Sequence, residues 1–251
     1  MQRRLSAVLP VVAVALRAAA GQAFGSHGKT IAFCHDNQNR PPSLYFAHGR
    51  WQGHDMDVLN QLFAGNERDF HLEALPWQRC MQSTAKGENH QVVLSATYSA
   101  RRAQRYYFSD SYYSLAPGYL YTTADGRSPP DISRPSDFFR YRVCGMSGFN
   151  YDGFGIANAQ MDRGAKDLPQ LIAKLVAGRC DIALTQHDVA QALKHRNRLP
   201  WPDGLALRKV PHTRPVRYYM MVSRQAPNAR QILHFINRGI QRLDTPAPRS
   251  P

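Results

Sequence analysis

Hydrophobic and polar positions along the chain follow two periods, and together they predict strands alternating with helices. Short, nearly continuous apolar runs of the strand type occur at 30–34, 70–75, 92–94, 141–145, 182–184 and 217–222. Apolar residues spaced three or four apart predict helices beginning near Asp55, Pro76, Asp167 and Asn228. Strands separated by helices of this length are typical of an α/β fold built around mostly parallel sheets.

Two parts of the chain repeat the same local order. In the first part a helix ends near Gly87 and a short turn leads to the buried strand 92–94. In the second part a helix ends near Gly178 and a short turn leads to the strand 182–184. The turn-rich stretch 125–130 separates the two parts, so the pattern predicts two α/β units.

The stretch that follows strand 92–94 carries the strongest chemical signal. The apolar run becomes polar within two residues, with hydroxyl side chains at Ser95, Thr97 and Ser99, followed by Arg101 and Arg102. Hydroxyl donors, free backbone N–H groups and a forked guanidinium can converge on one carboxylate. The plainer alternative is a loop capped by Ser99 with both arginines in solvent.

This stretch resembles the solute-binding proteins of bacterial polar amino-acid ABC importers. Their pattern is a hydrophobic strand, a small residue, two hydroxyl residues, an arginine and then Phe-Ser, matched here by 92–110. The resemblance implies that Arg102 holds the α-carboxylate of the ligand and that Ser95 and Thr97 also contact it. It further implies a two-lobed periplasmic-binding-protein type 2 fold, in which each lobe is a mostly parallel sheet flanked by helices and the ligand lies between the lobes.

A second part of the resemblance lies at 41–59, where Pro-Pro, an aromatic residue and Gly-x-Asp-x-Asp precede a helix. Two positions depart from the family pattern. Ser43 stands where an aromatic ring usually stacks on the ligand, and His54 replaces another aromatic residue. Tyr45 is the candidate for the missing ring, and Asp55 is expected to cap the helix. The resemblance covers roughly residues 28–243.

The second lobe is expected to supply the other half of the ligand contacts, because ligands bind beyond the carboxyl ends of parallel strands. The candidates after its first strand are Ser147, Phe149 and Asn150. Phe149 stands where the family usually has threonine. An acid commonly holds the ligand's ammonium group, and two candidates remain open: Asp188 in the second lobe and Asp36 in the first.

The resemblance also predicts how the chain is divided between the lobes. We expect residues 24–120 to form the first part of lobe 1, 121–214 to form lobe 2, and 215–244 to return to lobe 1. Residues 245–251 are expected to be a loose tail. Closure of the two lobes about the hinge would then enclose the ligand.

The first 23 residues have the composition of an export signal. Arg3 and Arg4 precede a mostly apolar run that is too short to span a bilayer, and small residues follow up to position 23. This order predicts a signal peptide and a periplasmic protein; an uncleaved membrane-tethered end is the alternative. Removing the segment would take away three arginines and no acids, lowering the formal net charge from +14 to +11.

Composition narrows the classes of partner. The 251 residues are 43% hydrophobic, which is ordinary for a globular protein. The basic residues are spread along the chain without a block of five, and no nucleic-acid-binding signature accompanies them. We therefore expect no nucleic acid as partner. The family resemblance implies a small-molecule ligand and, as partner, an ABC permease or a membrane sensor.

Four cysteines in an exported chain suggest disulfides, with free buried thiols as the alternative. Three pairings are possible. With the lobes assigned as above, pairing Cys34 with Cys80 and Cys144 with Cys180 keeps each bridge inside one lobe and leaves the hinge free.

The sequence contains no zinc-protease, nucleophile-elbow or phosphate-loop motif, so no enzyme, metal or cofactor is expected. A periplasmic enzyme of the dehydratase type on the same fold is kept as an alternative, because His35, His54 and His187 are expected near the cleft. A ligand-sensing subunit for a membrane partner is the other alternative.

Overall fold

The computed structural model describes residues 30–156 and 161–243. The predicted signal peptide, 1–23, and the predicted tail, 245–251, lie outside the described residues. In chain order the strands are β1 (Thr30–Asp36), β2 (Tyr45–Ala47), β3 (Arg50–Gln52), β4 (Asp69–Leu75), β5 (Val92–Thr97), β6 (Tyr106–Phe108), β7 (Tyr113–Leu115), β8 (Pro117–Thr122), β9 (Val143–Met146), β10 (Asp162–Ala165), β11 (Ile182–Gln186), β12 (Leu205–Lys209) and β13 (Val216–Ser223). The α-helices are α1 (His54–Phe63), α2 (Trp77–Lys86), α3 (Ala100–Ala103), α4 (Leu168–Val176), α5 (His187–His195) and α6 (Ala229–Arg242).

Two separate sheets form the centres of the two lobes, which confirms the predicted α/β class. The first sheet has the order β4-β1-β5-β13-β6, and β7 also pairs with β13. Strands β1, β4 and β5 run parallel, whereas β13 runs antiparallel to β5, β6 and β7. A parallel centre therefore carries antiparallel additions, because β13 returns to this sheet from the other lobe.

The second sheet repeats this plan with the order β10-β9-β11-β8-β12. Strands β9, β10 and β11 are parallel, and β8 is antiparallel to both β11 and β12. The short hairpin of β2 and β3 stands apart from both sheets. The two βαβ units predicted from the repeated helix, glycine and strand order thus lie in different sheets.

The chain changes sheet at two places among the described residues. It leaves the first sheet between β7 and β8, with only Ala116 between them, and returns between β12 and β13. The crossing at Ala116 is fixed to α5, because its N–H donates to the Asp188 carboxylate at 2.7 Å and its carbonyl accepts from the His187 N–H at 2.9 Å. The sequence analysis expected the first part of lobe 1 to end at residue 120, which lies inside strand β8 of the second sheet. The exact limits of the lobes remain predictions.

Helix boundaries follow the predicted signals in three of four cases. Pro76 precedes α2, Gly87 closes it in the left-handed conformation, and the Asp167 carboxylate caps α4 by accepting from the Gln170 N–H at 2.8 Å. Asn228 precedes α6 as expected. The prediction for Asp55 is wrong: Gly53 is the N-cap of α1, and Asp55 lies inside the helix, completely buried.

Both predicted disulfides are confirmed, and each stays within one sheet's lobe. Cys34 near the end of β1 bonds to Cys80 in α2, with Cα atoms 5.7 Å apart. Cys144 in β9 bonds to Cys180 just before β11, with Cα atoms 5.9 Å apart. The four half-cystines are almost completely buried, so the bridges fasten helix or turn to sheet in the core.

The Cys34–Cys80 bridge closes a segment with a sequence separation of 46 residues, so its removal should destabilise the first lobe. We expect the double variant Cys34→Ser, Cys80→Ser to lose about 2–4 kcal/mol in the free energy of unfolding, through the greater freedom of the unfolded chain. Urea denaturation of the variant and the parent protein measures the loss. An unchanged midpoint, or a peptide map joining Cys34 to Cys144 or Cys180, would contradict this assignment.

Candidate functional site

The candidate site is a small space between the lobes, at the carboxyl ends of β5 and β11. Its volume is about 20 Å³, close to that of one water molecule. Both lobes contribute to its lining: Arg40, Trp77, Ser95, Thr97, Arg102, Gly148, Phe149, Asn150, Gln186 and Tyr218. No aspartate or glutamate belongs to that set, whereas two arginines do.

Arg102 is oriented by its own segment of chain. One terminal nitrogen, Nη1, donates to the carbonyl and to the hydroxyl of Thr97 at 2.8 and 2.9 Å. The guanidinium carbon lies 5.3 Å from the centre of the Trp77 ring, within the range of a cation–π interaction. Burial lowers the pKa of Arg102 to about 10, so the group remains charged at neutral pH.

Arg101 and Arg102 lie in the short helix α3 and point to different surroundings. The Ser99 hydroxyl accepts from the Arg102 N–H at 3.3 Å and so caps this helix. The Arg101 side chain is exposed, whereas that of Arg102 turns inward to the cleft. Ser99 therefore plays the capping role that the simpler sequence interpretation gave it, but only one of the two arginines lies in solvent.

Ser95 is held by a buried group of oxygen atoms. Its hydroxyl makes a short hydrogen bond to the Asp55 carboxylate and accepts from the Tyr113 hydroxyl at 2.7 Å. Asp55 also accepts from the Tyr112 hydroxyl at 2.6 Å, and the Ser95 N–H is 3.1 Å from that same hydroxyl. Ser95 adopts a φ of 56°, a conformation unusual for a residue with a side chain, so these contacts define the backbone at the end of β5.

Arg40 is a site residue that the sequence analysis missed. It lies in the loop after β1, and its guanidinium carbon is 5.1 Å from the Phe149 ring centre and 5.7 Å from that of Tyr218. Tyr218 in turn stacks on Tyr113, with ring centres 4.7 Å apart. The stretch 35–40 is polar throughout, and no periodicity marked one of its side chains as inward-facing.

The loop after β9 forms the second lobe's wall and contacts the first lobe directly. The Gly148 carbonyl accepts from the Trp77 indole at 3.2 Å and from Arg102 Nη2 at 3.4 Å. The Asn150 amide donates to the Tyr98 carbonyl at 2.8 Å. Gly148 has a φ of 77°, a backbone conformation that favours glycine, and an added Cβ would also lie only 3.0 Å from the Trp77 ring.

The predicted site residues divide into two groups. Ser95, Thr97, Arg102, Phe149 and Asn150 come together around the same space. The others do not belong to its lining and are Asp36, Tyr45, Ser147 and Asp188.

Each residue of that second group has surroundings of its own. The Arg196 guanidinium carbon lies 4.6 Å from the centre of the Tyr45 ring, and both residues line a groove separate from the small space. Ser147 is exposed, and the Asp188 carboxylate binds the crossing at Ala116. Asp36 is buried next to the cleft; burial raises its pKa, and the nearby positive charge of Arg40 partly opposes that rise.

The three candidate histidines do not belong to the lining of the small space. The His35 ring meets Trp51 edge-on at 4.3 Å, and burial lowers its pKa to about 4. The His54 ring is 3.2 Å from the Tyr112 carbonyl, and His187 lies at the start of α5. Within the ranges that the structure describes, no group of three or more acids, histidines or cysteines could hold a metal ion.

A larger cavity of about 310 Å³ adjoins the small space and shares Arg40, Phe149 and Gln186 with it. This volume is at the lower end of the range found for small-molecule sites. Its wall includes the start of α4 and the completely buried Thr185, whose hydroxyl has no hydrogen-bond partner among the described residues. Together the two spaces offer room for a small polar ligand.

The model of the bacterial extracellular solute-binding proteins, family 3, matches residues 31–245. The chain belongs to this family. A comparison with curated proteins finds no match. Among the described residues, no helix is both long and apolar enough to cross a membrane.

Solved structures of solute-binding proteins share the two-lobed fold. Holo ArgBP from T. maritima is 16% identical, with a TM-score of 0.67, over 86% of this chain and 91% of that one. ArtJ from Geobacillus stearothermophilus is 17% identical, with a TM-score of 0.60, over 85% and 88%. A histidine kinase sensor domain with similarity to periplasmic binding proteins is also 17% identical, with a TM-score of 0.66, over 84% and 89%.

Membership of family 3 confirms the resemblance seen in the sequence and makes the chain an extracellular solute-binding protein. It also agrees with the expectation that the protein binds a solute and is not an enzyme. The likeness to the solved structures, at this low identity, concerns the fold alone.

Asp55 should be essential to the shape of the first lobe's wall. We expect Asp55→Ala to lower the free energy of unfolding by about 2–5 kcal/mol, because the hydroxyls of Ser95 and Tyr112 would lose a buried acceptor. Asp57→Ala is the matched control: Asp57 lies in the same first turn of α1 but is exposed, so its loss should cost less than about 1 kcal/mol. Equal losses in urea denaturation would count against the role of this buried group.

Proposed function

We propose that the protein binds a small carboxylate-bearing solute, an amino acid or a related carboxylate, and delivers it to an ABC importer. The observation that carries this proposal is the state of Arg102. Its guanidinium is oriented by Thr97 and Trp77, yet no carboxylate oxygen of the described residues lies within salt-bridge distance of it. A partly buried, fixed guanidinium without an anionic partner is suited to a ligand's carboxylate.

The contacts between the lobes support capture by hinge closure. The three hydrogen bonds that join the loop 148–150 to the first lobe exist only when the lobes are together. Because the space between them is about 20 Å³, a solute must enter with the lobes apart and be enclosed as they close. Ligand contacts from both sides would then favour the closed form.

The ligands named for similar structures do not decide the solute of this protein. ArtJ is described as an arginine-, lysine- and histidine-binding protein, all of whose ligands carry basic side chains. The lining of the present cleft holds two arginines and no acid, which is unsuited to a cationic side chain. The proposal therefore takes from the relatives only the general class of solute.

The solute can be identified by mass spectrometry of small molecules released when the purified protein is denatured. We expect a compound with a carboxylate that also binds the refolded protein in calorimetry. Release of no small molecule, together with no binding of amino acids or small carboxylates, would contradict the proposed function. Conversion of the released compound by the protein would favour an enzyme on this fold instead.

Export to the periplasm is the second part of the proposal. It is supported by the extracellular character of the family and by the charged, apolar and small-residue order of residues 1–23. We expect the mature protein to begin between Gly21 and Phe24 and to be recovered from the periplasm. N-terminal sequencing that returned Met1 from the membrane fraction would contradict this expectation.

Arg102 should be the main anchor of the ligand's carboxylate. We expect Arg102→Ala to weaken binding of the identified solute by about 2–5 kcal/mol, or roughly thirtyfold or more, through loss of an enclosed ion pair. Arg102→Lys should not restore it, because lysine lacks the planar fork that holds a carboxylate with two parallel bonds.

The matched control is Arg101→Ala, which removes the exposed neighbour in the same short helix. Its effect on affinity should be small. Calorimetry on both alanine variants decides the point: equal and small losses would mean that the carboxylate is held elsewhere in the cleft.

A further inference from the structure

Arg40 and Arg102 both line one small space and give the cleft two positive charges. Arg40 comes from the loop after β1 and Arg102 from α3, and both side chains line the same 20 Å³. The rings of Phe149 and Tyr218 fix the Arg40 guanidinium, as Trp77 fixes that of Arg102. Two guanidinium groups oriented in this way by aromatic rings and hydrogen bonds can each bind one anionic group of a ligand.

Neither guanidinium has an ionic partner among the described residues. Within that part of the chain Arg40 makes one side-chain hydrogen bond, at 3.4 Å to the Tyr218 hydroxyl, although a guanidinium has five N–H donors. Among the described residues no carboxylate oxygen lies within 4.0 Å of Arg40 or of Arg102. Burial of unpaired charges is unfavourable, so closure over this pair calls for anions from outside the chain.

The nearby acids are already engaged. Asp55 accepts hydrogen bonds from Ser95 and Tyr112, and Asp36 accepts from the Gln38 N–H at 3.4 Å. Both carboxylates act on Arg40 only from beyond salt-bridge distance, and neither belongs to the lining of the small space. The mutual repulsion of the two arginines adds to the effect of burial in lowering the pKa of Arg102.

The larger cavity allows Arg40 to contact a ligand that is too big for the small space alone. Arg40 lines both spaces, so its guanidinium is available from the side of the 310 Å³ cavity as well. Lys166 and Arg198 add positive charge to that wall, and its one acid, Asp167, is engaged as the cap of α4. A ligand that begins at Arg102 and extends into this cavity therefore meets the positive charges of Arg40, Lys166 and Arg198.

We infer that the solute carries two anionic groups, one bound by Arg102 and the other by Arg40, and is a small dicarboxylate such as an acidic amino acid. This inference rests on the proposed function, and it narrows the class of solute. Binding a ligand of this class would supply both missing partners at once. A neutral or basic amino acid would leave the Arg40 guanidinium unpaired on closure.

Calorimetry with pairs of compounds that differ only in one carboxylate tests the inference. The probes are L-glutamate with L-glutamine, L-aspartate with L-asparagine, and succinate with succinamate. For at least one pair we expect the dicarboxylate to bind roughly thirtyfold or more tightly than its amide, because only the acid supplies the second anion. This comparison uses the unaltered protein and does not depend on the stability of any variant.

The variant Arg40→Gln assigns the selectivity to one residue. It should reduce the preference for the dicarboxylate over its amide to less than about threefold, mainly by weakening the binding of the dicarboxylate. Arg40→Lys should keep part of this preference, because the positive charge remains. Arg101→Gln, which removes an exposed charge nearby, should leave both affinities unchanged. Thermal unfolding of each variant shows whether it is folded before binding is measured.

The outcomes separate this inference from the function on which it rests. Binding of a neutral or basic amino acid that depends on Arg102 and is unchanged in Arg40→Gln would overturn the inference and leave the proposed function standing. Equal binding of an acid and its amide would also overturn it. Absence of binding by every probe, with no ligand released from the purified protein, would overturn both.

Discussion

The buried carboxylate of Asp55 is the contact on which the first lobe's binding wall depends. It joins three segments that are far apart in the sequence: the start of α1, the end of β5 at Ser95, and the segment with Tyr112 that leads to the crossing. A buried carboxyl group is tolerated only when hydrogen-bond partners surround it, and here two hydroxyls do so. The position of Ser95, and with it the line of chain toward Thr97 and Arg102, follows from this arrangement.

The electrostatics of the cleft follow from which acids face it. Asp55 is engaged by the first lobe's own hydroxyls, and Asp188 is engaged by the crossing at Ala116. The arginines at 40 and 102 are thus left to line the space without acids beside them. A solute that binds here meets the fixed positive charge of two arginines, which favours anions and disfavours cations.

The way the chain is fastened also fits a protein whose lobes move. Each disulfide joins elements of one lobe, and the contacts between the lobes around the cleft include single hydrogen bonds from Trp77, Arg102 and Asn150. Such bonds can be broken and remade at small cost, whereas the covalent bridges keep each lobe's sheet and helix together. Each lobe is therefore fastened within itself by a covalent bridge, whereas the contacts between the lobes can be broken when the cleft opens.

The sequence alone determined the α/β class, the two βαβ units, the strand and arginine motif at 92–102 and, with the lobes assigned, both disulfides. The fold class, the βαβ units and the motif depend on local periodicity and spacing, which report burial and secondary structure directly. The disulfide pairing followed from the lobe division that the family resemblance implies. The family resemblance pointed to part of the cleft lining, and the tertiary structure decided the rest. It brought Arg40 and Tyr218 to the site, and it placed Tyr45 and Asp188 elsewhere. The direction of a loop side chain depends on contacts with segments distant in the sequence, here the rings of Phe149 and Tyr218 and the backbone of Ala116, and no local pattern records those contacts.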